Sequence, residues 1–559
     1  MNQTRFLLIF AWLMVATLLW MEWGKEQAAP PAAATAATTP AVPAASDVPA
    51  APSATPTATP AAPQATSATS ATAAPVVSVT TDVLQVSLTG GELRRADLLR
   101  YPAGADSREP VRLLADDAAR YFVAQSGWVR QGGPAPTHEA GFRPVGGPRF
   151  ALAPGARELV VPFEWTGPDG VTIRREYLFE RGSYVVRVRD TVINRGGAPW
   201  QGWVYRQLTR VPRALASKGP MSAEQYSFQG AAWYSPQDKY ERCAYEDFGE
   251  DCALNKEVQG GWIGMLQHHF FAAWIPPAQA RSTFSLATLP GQGVPQYVIR
   301  LLGPALSVGP GQQASTEARL WVGPKLVKQI EAQDVPGLER AVDFSRFSTM
   351  AALAGWLFWL LDRLHDVFGN WGWAIVGLVV LIRIAMFPLA QAQYRSMAKM
   401  RRFQPRIEQL KERYGDDRQK FQMALMELYK KEKINPVGGC LPILVQMPVF
   451  LALYWMLSES VELRHAPWIG WIHDLTARDP YFVLPLINIA LMWATQKLSP
   501  MTGMDPMQQK MLQWMPIVFG VMFAFFPAGL VLYWVTNSGL GLLQQWWMTR
   551  KYAEAPAKA

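Results

Sequence analysis

The spacing of hydrophobic positions divides the chain into two parts. Between 76 and 340 the apolar residues come in short runs that often alternate with polar ones, whereas after 345 they form long uninterrupted runs. A helix rises 1.5 Å per residue and needs about 20 apolar residues to cross a bilayer core. The runs that approach or reach this length are 6–21, 371–391, 441–457, 481–496, 511–526 and 529–548. The pattern predicts a multi-domain membrane protein with an α-helical polytopic core.

The first apolar run, 6–21, fits either a cleaved signal peptide or an uncleaved anchor. Its length exceeds the ~7–15 apolar residues of a typical signal peptide. Charged residues follow it directly, beginning with Glu22. We therefore predict a transmembrane anchor over 1–27, with its N-terminus in the cytoplasm.

The next segment, 28–75, consists almost only of Ala, Pro, Thr and Ser, with Asp47 as its sole charge. Such a composition cannot bury a core. It predicts a disordered, partly extended linker.

From 76 to 340 the patterns are those of β-strands. Two stretches with strand-like patterns, Glu158–Trp165 and Val171–Glu180, flank the turn sequence GPDG at 167–170, and Ser183–Asn194 follows. In this last stretch, apolar and charged residues alternate with the period of a half-buried strand: Tyr184, Val186 and Val188 against Arg187 and Arg189. The segment predicts a large all-β sandwich.

Two further segments are amphipathic. In 341–370 the apolar residues from Met350 to Leu361 are too few to span a bilayer, and a charged stretch follows them. This pattern predicts a helix lying in the outer membrane interface.

The segment 395–434 holds twelve basic and six acidic residues with an apolar stripe at helical spacing. It predicts a cytoplasmic helical hairpin, which is either a docking surface or a solvated hairpin without a partner.

One ionisable residue stands out in the apolar runs. Arg383 lies near the middle of 371–391, where an arginine costs roughly 2.5–3.5 kcal/mol on insertion scales. None of the other runs contains Asp, Glu, Lys or His, so we expect no carboxylate partner. A water-filled cavity or snorkelling to the surface would each satisfy the charge.

Composition narrows the possible functions. The net charge of +9 comes from basic residues beside the apolar runs, as the positive-inside bias predicts, rather than from a nucleic-acid-binding stripe. Three cysteines and six scattered histidines exclude a disulfide scaffold and the common zinc motifs. Cys243 and Cys252 are close in sequence and would pair if their domain lies outside the cytoplasm, leaving Cys440 free. We expect no cofactor, no metal and no catalytic residues.

Several long motifs occur in a characteristic order: FPLAQAQYRSMAKM (387–400), NPVGGCLPILVQMPVFLALYWML (435–457), VELRHAPWIGWIHDL (461–475), DPMQQKMLQWMP (505–516) and FFPAGLVLYWVTNS (525–538). The chain resembles the YidC/Oxa/Alb family of membrane-protein insertases, in the Gram-negative YidC form. The resemblance covers anchor, outer β-domain and a five-span core over 371–550, followed by a short cytoplasmic tail, 551–559. It implies an inner-membrane insertase and chaperone with both termini cytoplasmic and a periplasmic β-supersandwich.

The resemblance also implies site residues. Arg383 matches the arginine of a hydrophilic groove, and the third and fifth spans, 441–457 and 511–526, form an apolar slide for the incoming segment. Candidate groove residues are Gln446, Asn488, Thr536 and Asn537, for which interhelical hydrogen bonding is the alternative role. Candidate slide residues are Leu444, Met447, Phe450, Phe519, Met522 and Phe525. The chain departs from the family's pattern at Val379, where a polar residue is frequent, and at Trp534.

Implied partners are nascent membrane proteins, the lipid bilayer, the Sec translocase (SecYEG and SecDF), and, through the hairpin, the ribosome and the signal-recognition-particle receptor.

A proton-coupled transporter is the first competing hypothesis for the function, but the apolar runs contain no titratable relay. A sugar-converting enzyme is the second, resting on His268 and His269. Neighbouring residues of a strand point to opposite faces, so we expect these two histidines to form no shared site.

Overall fold

The computed structural model describes residues 47–52, 75–104, 107–213, 227–249, 252–291, 293–345, 348–393, 404–414, 417–431, 441–498 and 506–553. Outside these residues lie the predicted anchor, most of the predicted linker, the segment 432–440 with Cys440, and residues 554–559 of the predicted C-terminal tail.

The described N-terminal half is an all-β domain of two sheets. One sheet has the strand order β14-β17-β18-β11-β5-β3-β2-β1-β7, with β4 beside β3, and the other has the order β13-β12-β15-β16-β19-β10-β9-β8-β6. The strands are β1 Val77–Thr80, β2 Leu84–Thr89, β3 Glu92–Pro102, β4 Pro110–Leu114, β5 Phe122–Val129, β6 Arg143–Pro144, β7 Arg149–Ala151, β8 Glu158–Thr166, β9 Val171–Glu180, β10 Val185–Asn194, β11 Trp200–Arg210, β12 Gly230–Ser235, β13 Lys239–Ala244, β14 Asn255–Gln259, β15 Trp262–Leu266, β16 Phe270–Ile275, β17 Arg281–Leu289, β18 Gln296–Val308 and β19 Gln313–Pro324.

The strand prediction from alternation is confirmed. Strands β8, β9 and β10 pair antiparallel in sequence order, and Gly170 takes the positive φ that the turn between β8 and β9 requires. In β10, Val186 and Val188 are buried, while Arg187 and Arg189 on the other face remain partly exposed. Because side chains alternate between faces of a strand, one face of β10 joins the core between the sheets.

The described C-terminal half is helical. Its helices are α1 Val327–Glu331, α2 Ser348–Phe368, α3 Trp371–Ala385, α4 Phe387–Gln393, α5 Gln404–Tyr414, α6 Arg418–Lys431, α7 Leu441–Glu459, α8 Val483–Leu498, α9 Pro506–Phe523 and α10 Ala528–Ala553. Helix α10 packs against α3, α7 and α8, so it forms the centre of the bundle.

Among the described residues, no single helix is both long and apolar enough to span a bilayer on its own. Helices α3 and α4 meet both conditions together, with a 58° bend between them. The six spans and the cytoplasmic hairpin, whose described parts are α5 and α6, stay predictions.

The helix predicted for the outer interface is present as α2. Its apolar residues Leu357, Phe358 and Leu361 are buried against the bundle, while Trp356 and Trp359 are exposed. The exposed tryptophans suit a membrane interface, where an amphipathic ring meets both lipid and water.

Cys243 and Cys252 form a disulfide, with their Cα atoms 6.0 Å apart. Since Cys440 is the one remaining cysteine of the chain, we expect one reactive thiol per molecule when the unreduced protein is unfolded and labelled. Prior reduction should raise the count to three. Three thiols without reduction would contradict the disulfide.

Candidate functional site

The arginine in the apolar run lies between two helices. Arg383 of α3 donates from Nε to Asn537 Oδ1 at 2.8 Å and from Nη2 to the Asn537 carbonyl oxygen at 2.7 Å. Its Nη1 donates to Gln544 Oε1 at 3.3 Å. Three acceptors on α10 therefore hold the guanidinium in place, and the expected solvation by a water-filled cavity or by the surface stays a prediction.

The residues of α10 that face Arg383 recur at helical spacing. Tyr533, Asn537, Gly541 and Gln544 follow one another at steps of three and four, which places them on one side of a helix. A Cβ added at Gly541 would lie 2.9 Å from Arg383 Nη2, so the glycine leaves room for the guanidinium. Gly541 and Gln544 were not among the predicted site residues. A polar and small stripe along an otherwise apolar helix was the signal for them.

The other candidate groove residues divide between two places. Gln446 of α7 lies beside the Tyr533 hydroxyl, on the face of α10 that holds Arg383. Asn488 of α8 is fully buried and accepts from Ser538 Oγ at 3.0 Å, on a different face of α10. Thr536 is half-buried. The structure thus brings Arg383, Asn537 and Gln446 together around one face, with Asn488 apart from them.

The two departures from the family's pattern have different surroundings. Val379, one turn before Arg383, is buried in the bundle. Trp534 lies between two helices, with its ring centroid 4.7 Å from Phe450 of α7 and 5.1 Å from Phe523 of α9. An aromatic side chain of α10 therefore joins the two helices of the candidate slide.

The candidate slide residues differ in exposure. Met447 is 47% exposed, Phe519 36% and Phe525 43%. Phe450 and Met522 are only partly buried, packed against the core. The side chain of Leu444 lies outside the described residues. Three apolar side chains from the α7 region and the α9 region are thus accessible from outside the protein.

The β-domain contacts the end of helix α7. The Ser458 carbonyl accepts from His268 Nε2 at 2.9 Å and from His269 Nε2 at 3.2 Å, and the two rings stack with centroids 3.8 Å apart. The expectation of opposite faces is wrong, because these residues lie in the turn between β15 and β16 rather than within a strand. Burial lowers the pKa of His269 well below its usual value, so its ring donates as a neutral imidazole.

A buried ion pair lies beside this contact. Lys325 Nζ is 3.7 Å from Glu459 Oε2, and Glu459 also accepts from Ser227 Oγ at 3.2 Å. Burial lowers the pKa of Lys325, and the charge of Glu459 partly opposes that shift. Such a pair needs both partners, because either charge left alone in the interior is strongly destabilising. The polar groups at this end of α7 therefore serve the packing of the β-domain on the bundle.

One group of described residues has metal-ligand character. Ligand atoms of Asp47, His138 and Glu139 lie within 4.8 Å of one another. Glu139 is exposed, and the Asp47 carboxylate already accepts hydrogen bonds from His138 and Gln207. The geometry favours a hydrogen-bonded carboxylate over a metal centre.

Residues 76–360 match the family model described as the YidC periplasmic domain, and residues 363–555 match that of the 60Kd inner membrane protein. A protein of Xanthomonas euvesicatoria pv. vesicatoria named membrane protein insertase YidC is 59% identical over 100% of this chain and 99% of its own length. A relative of the same name in Stenotrophomonas maltophilia is 58% identical, over 100% and 98% of the two chains.

Two solved structures are more distant. The crystal structure titled an active YidC insertase is 18% identical, covers 84% of this chain and 94% of its own, and has a TM-score of 0.36. A galactose mutarotase related enzyme of Lactobacillus acidophilus is 9% identical, with 44% and 97% coverage and a TM-score of 0.28.

Proposed function

Because the chain belongs to the YidC family of membrane protein insertases, we propose that Arg383 and the polar face of α10 form a hydrophilic groove for the substrate's translocated tail. The family is a non-enzymatic one of the inner membrane. Helices α7 and α9 then form the slide along which the apolar segment reaches lipid. The observation that carries the proposal is the position of Arg383, held by α10 beside helices with exposed apolar side chains.

The groove acts by solvation. A polar tail must cross a low-dielectric layer, and polar groups partway through that layer shorten the apolar path. Arg383 attracts acidic residues of the tail, and the attraction is stronger in a low-dielectric site than in bulk water. Its hydrogen bonds to Asn537 and Gln544 fix the guanidinium in position, so little reorganisation is needed when the tail arrives.

The slide acts by apolar contact. Met447, Phe519 and Phe525 present exposed apolar surface. Methionine and phenylalanine suit a surface that accepts many sequences, since methionine adapts its shape and the aromatic ring supplies a large contact area. The free energy for insertion comes from partitioning of the substrate segment into lipid, with a contribution from the membrane potential of about 2.3 kcal/mol per charge per 100 mV.

The proposed topology has six spans with both termini in the cytoplasm. Three basic residues at helix C-terminal ends support it: Lys497 Nζ lies 3.6 Å from the Trp493 ring, and Arg550 Cζ 4.0 Å from the Trp546 ring, with Lys551 following. In this topology all three lie on the cytoplasmic side, as the positive-inside bias requires. Tryptophan and a basic residue together suit the membrane interface.

The remaining partners follow from this arrangement. The family acts on nascent membrane proteins, and we propose that the basic hairpin with α5 and α6 binds the ribosome and the signal-recognition-particle receptor. The Sec translocase, SecYEG with SecDF, is the proposed partner within the membrane. The β-domain, which contacts the bundle at Ser458 and Glu459, is proposed to assist rather than to perform insertion.

Crosslinking to a stalled nascent membrane protein tests the slide. A photoreactive residue placed at Met447, Phe519 or Phe525 should give strong adducts with the substrate's apolar segment. Leu486 of α8 is the matched control, because it is apolar and more exposed than any of the three, yet lies on another helix. Equal adducts from Leu486 would contradict a defined slide.

A further inference from the structure

Four polar side chains form a row across adjacent strands of the β-domain. Strand pairing places Arg300 of β18 beside Gln207 of β11, Gln207 beside Gln125 of β5, and Gln125 beside Glu92 of β3. Arg300 Nε donates to Gln207 Oε1 at 2.7 Å, and Gln125 Nε2 donates to Glu92 Oε1 at 3.1 Å. Burying such groups costs free energy unless they are hydrogen-bonded. A buried polar row across a sheet therefore needs a hydrogen-bonding partner for each of its groups.

A short piece of the predicted linker lies on this row. Gln207 Nε2 donates to Asp47 Oδ1 at 2.7 Å, and Arg300 Nη2 donates to the Asp47 carbonyl oxygen at 2.7 Å. His138 Nε2 lies 3.1 Å from Asp47 Oδ2. Five residues further on, Gln131 Nε2 donates to the Pro52 carbonyl oxygen. The domain thus holds both carboxylate oxygens of Asp47 and the backbone carbonyl oxygens of Asp47 and Pro52.

The groups that hold Asp47 are themselves fixed. The Tyr205 hydroxyl accepts from the His138 backbone N–H at 3.0 Å and lies 2.6 Å from His138 Nδ1, so the ring presents Nε2 to the carboxylate. His138, Tyr205, Gln207 and Arg300 are all buried. Burial raises the pKa of Asp47, but hydrogen bonds from His138 and Gln207 and the charges of His138 and Arg300 outweigh it, so the net pKa is below its usual value. The ionised form is the one bound at neutral pH.

We propose that His138, Gln207 and Arg300 form a carboxylate-binding site for an aspartate within a peptide, and that the chain's own Asp47 occupies this site in cis. The site recognises a peptide rather than a free acid, because Arg300 binds the backbone carbonyl of the same residue. Asp47 is the sole charge in 28–75, so the linker binds in a single register. The inference is independent of the groove and the slide.

Occupation in cis has a consequence for competing ligands. A tethered ligand reaches an effective concentration in the millimolar range, so an acidic peptide in solution binds weakly while Asp47 is present. Removing the Asp47 carboxylate frees the site. An Ala- and Pro-rich peptide with one aspartate is the matching ligand.

Proteolysis of the full-length protein in detergent tests the occupation in cis. Asp47 is the only aspartate before Asp82, so a protease that cleaves on the N-terminal side of aspartate cuts the linker at one bond. We expect this bond to be cut at least about tenfold faster in Arg300→Ala than in the wild type, because cleavage follows the population of the open segment. Arg174→Ala, at an exposed ion pair with Glu176, is the matched control and should behave as the wild type.

The peptide bond before the buried Asp190 shows whether the rest of the β-domain stays folded. This bond should remain uncut in every variant. Equal cutting at Asp47 in wild type and Arg300→Ala, with Asp190 intact, would overturn the proposal.

Peptide binding tests the site without relying on Arg300→Ala alone. The labelled peptide PAASDVPAAP, which copies 43–52, should bind full-length Asp47→Ala about tenfold or more tightly than the wild type. A peptide with asparagine in place of the aspartate should lose that binding, since charge-assisted hydrogen bonds are the stronger ones. No binding to Asp47→Ala, or equal binding of the two peptides, would refute a carboxylate site. Equal binding to wild type and Asp47→Ala would refute occupation in cis.

Discussion

Replacing Arg383 with glutamate is expected to reduce insertion of a substrate with an acidic translocated tail by about tenfold or more. At an effective dielectric constant of about 20, two unit charges 4 Å apart interact by about 4 kcal/mol, and the substitution turns this attraction into repulsion. Arg383→Ala removes the attraction only, so its effect should be smaller. Arg383→Lys keeps the charge and should retain much of the activity, although one ammonium group reaches fewer of the acceptors on α10.

The measurement is insertion of matched single-span substrates whose tails are neutral or acidic, beside the amount of folded protein for each variant. Asn537→Ala is the matched control, because it removes a side-chain acceptor of Arg383 without changing any charge. It should lower insertion of both substrates equally and slightly. If the lysine and glutamate variants behave alike across the tails, Arg383 serves only to join α3 to α10.

Replacing Asp190 with alanine is expected to lower the free energy of unfolding of the β-domain by about 3–5 kcal/mol. The fully buried Asp190 accepts from Arg175 Nε and Nη2, each at 2.7 Å, and from Trp128 Nε1 at 2.8 Å. Arg206 is also buried, and its pKa falls to about 10 through burial, with the Asp190 charge opposing the shift. The substitution leaves two guanidinium groups in the core without this carboxylate.

Thermal unfolding of the full-length protein, followed by tryptophan fluorescence, should register this loss as a decrease of roughly 10 °C in the β-domain transition. Arg189→Ala is the control on the same strand, because its ion pair with Glu317 is partly exposed on the other face and is worth less than about 1 kcal/mol. A similar small shift for both variants would contradict the central role of Asp190.

Much of the fold followed from local patterns. Alternation at 183–194 and the turn at 167–170 predicted strands that the structure contains, because a half-buried strand imposes its two-residue period directly on the sequence. Arg383 was also recognisable from the local sequence, because a charge inside a long apolar run costs free energy when that run is buried. The helix predicted near 345–369 is present as well, because its amphipathic spacing is also a local pattern.

The candidate site was less predictable. The acceptors of Arg383 lie 154 and 161 positions further along the chain, and no local period relates them to it. The prediction that His268 and His269 point to opposite faces was wrong, because the chain turns at these residues instead of continuing as a strand. The turn lets both rings reach Ser458. Trp534 appeared only as a departure from a pattern, whereas its position between α7 and α9 follows from the packing of three helices.

The sequence by itself determined the apolar runs, the β-strand pattern, the isolated Arg383 and the family, because each depends on the order of residues within a short stretch or on long motifs. Only the tertiary structure decided which groups hold Arg383, how the β-domain contacts α7, and that Asp47 of the linker lies on a polar row of the sheet. These contacts join residues far apart in the chain. They form because buried charges and polar groups must find hydrogen-bonding partners wherever the fold brings them.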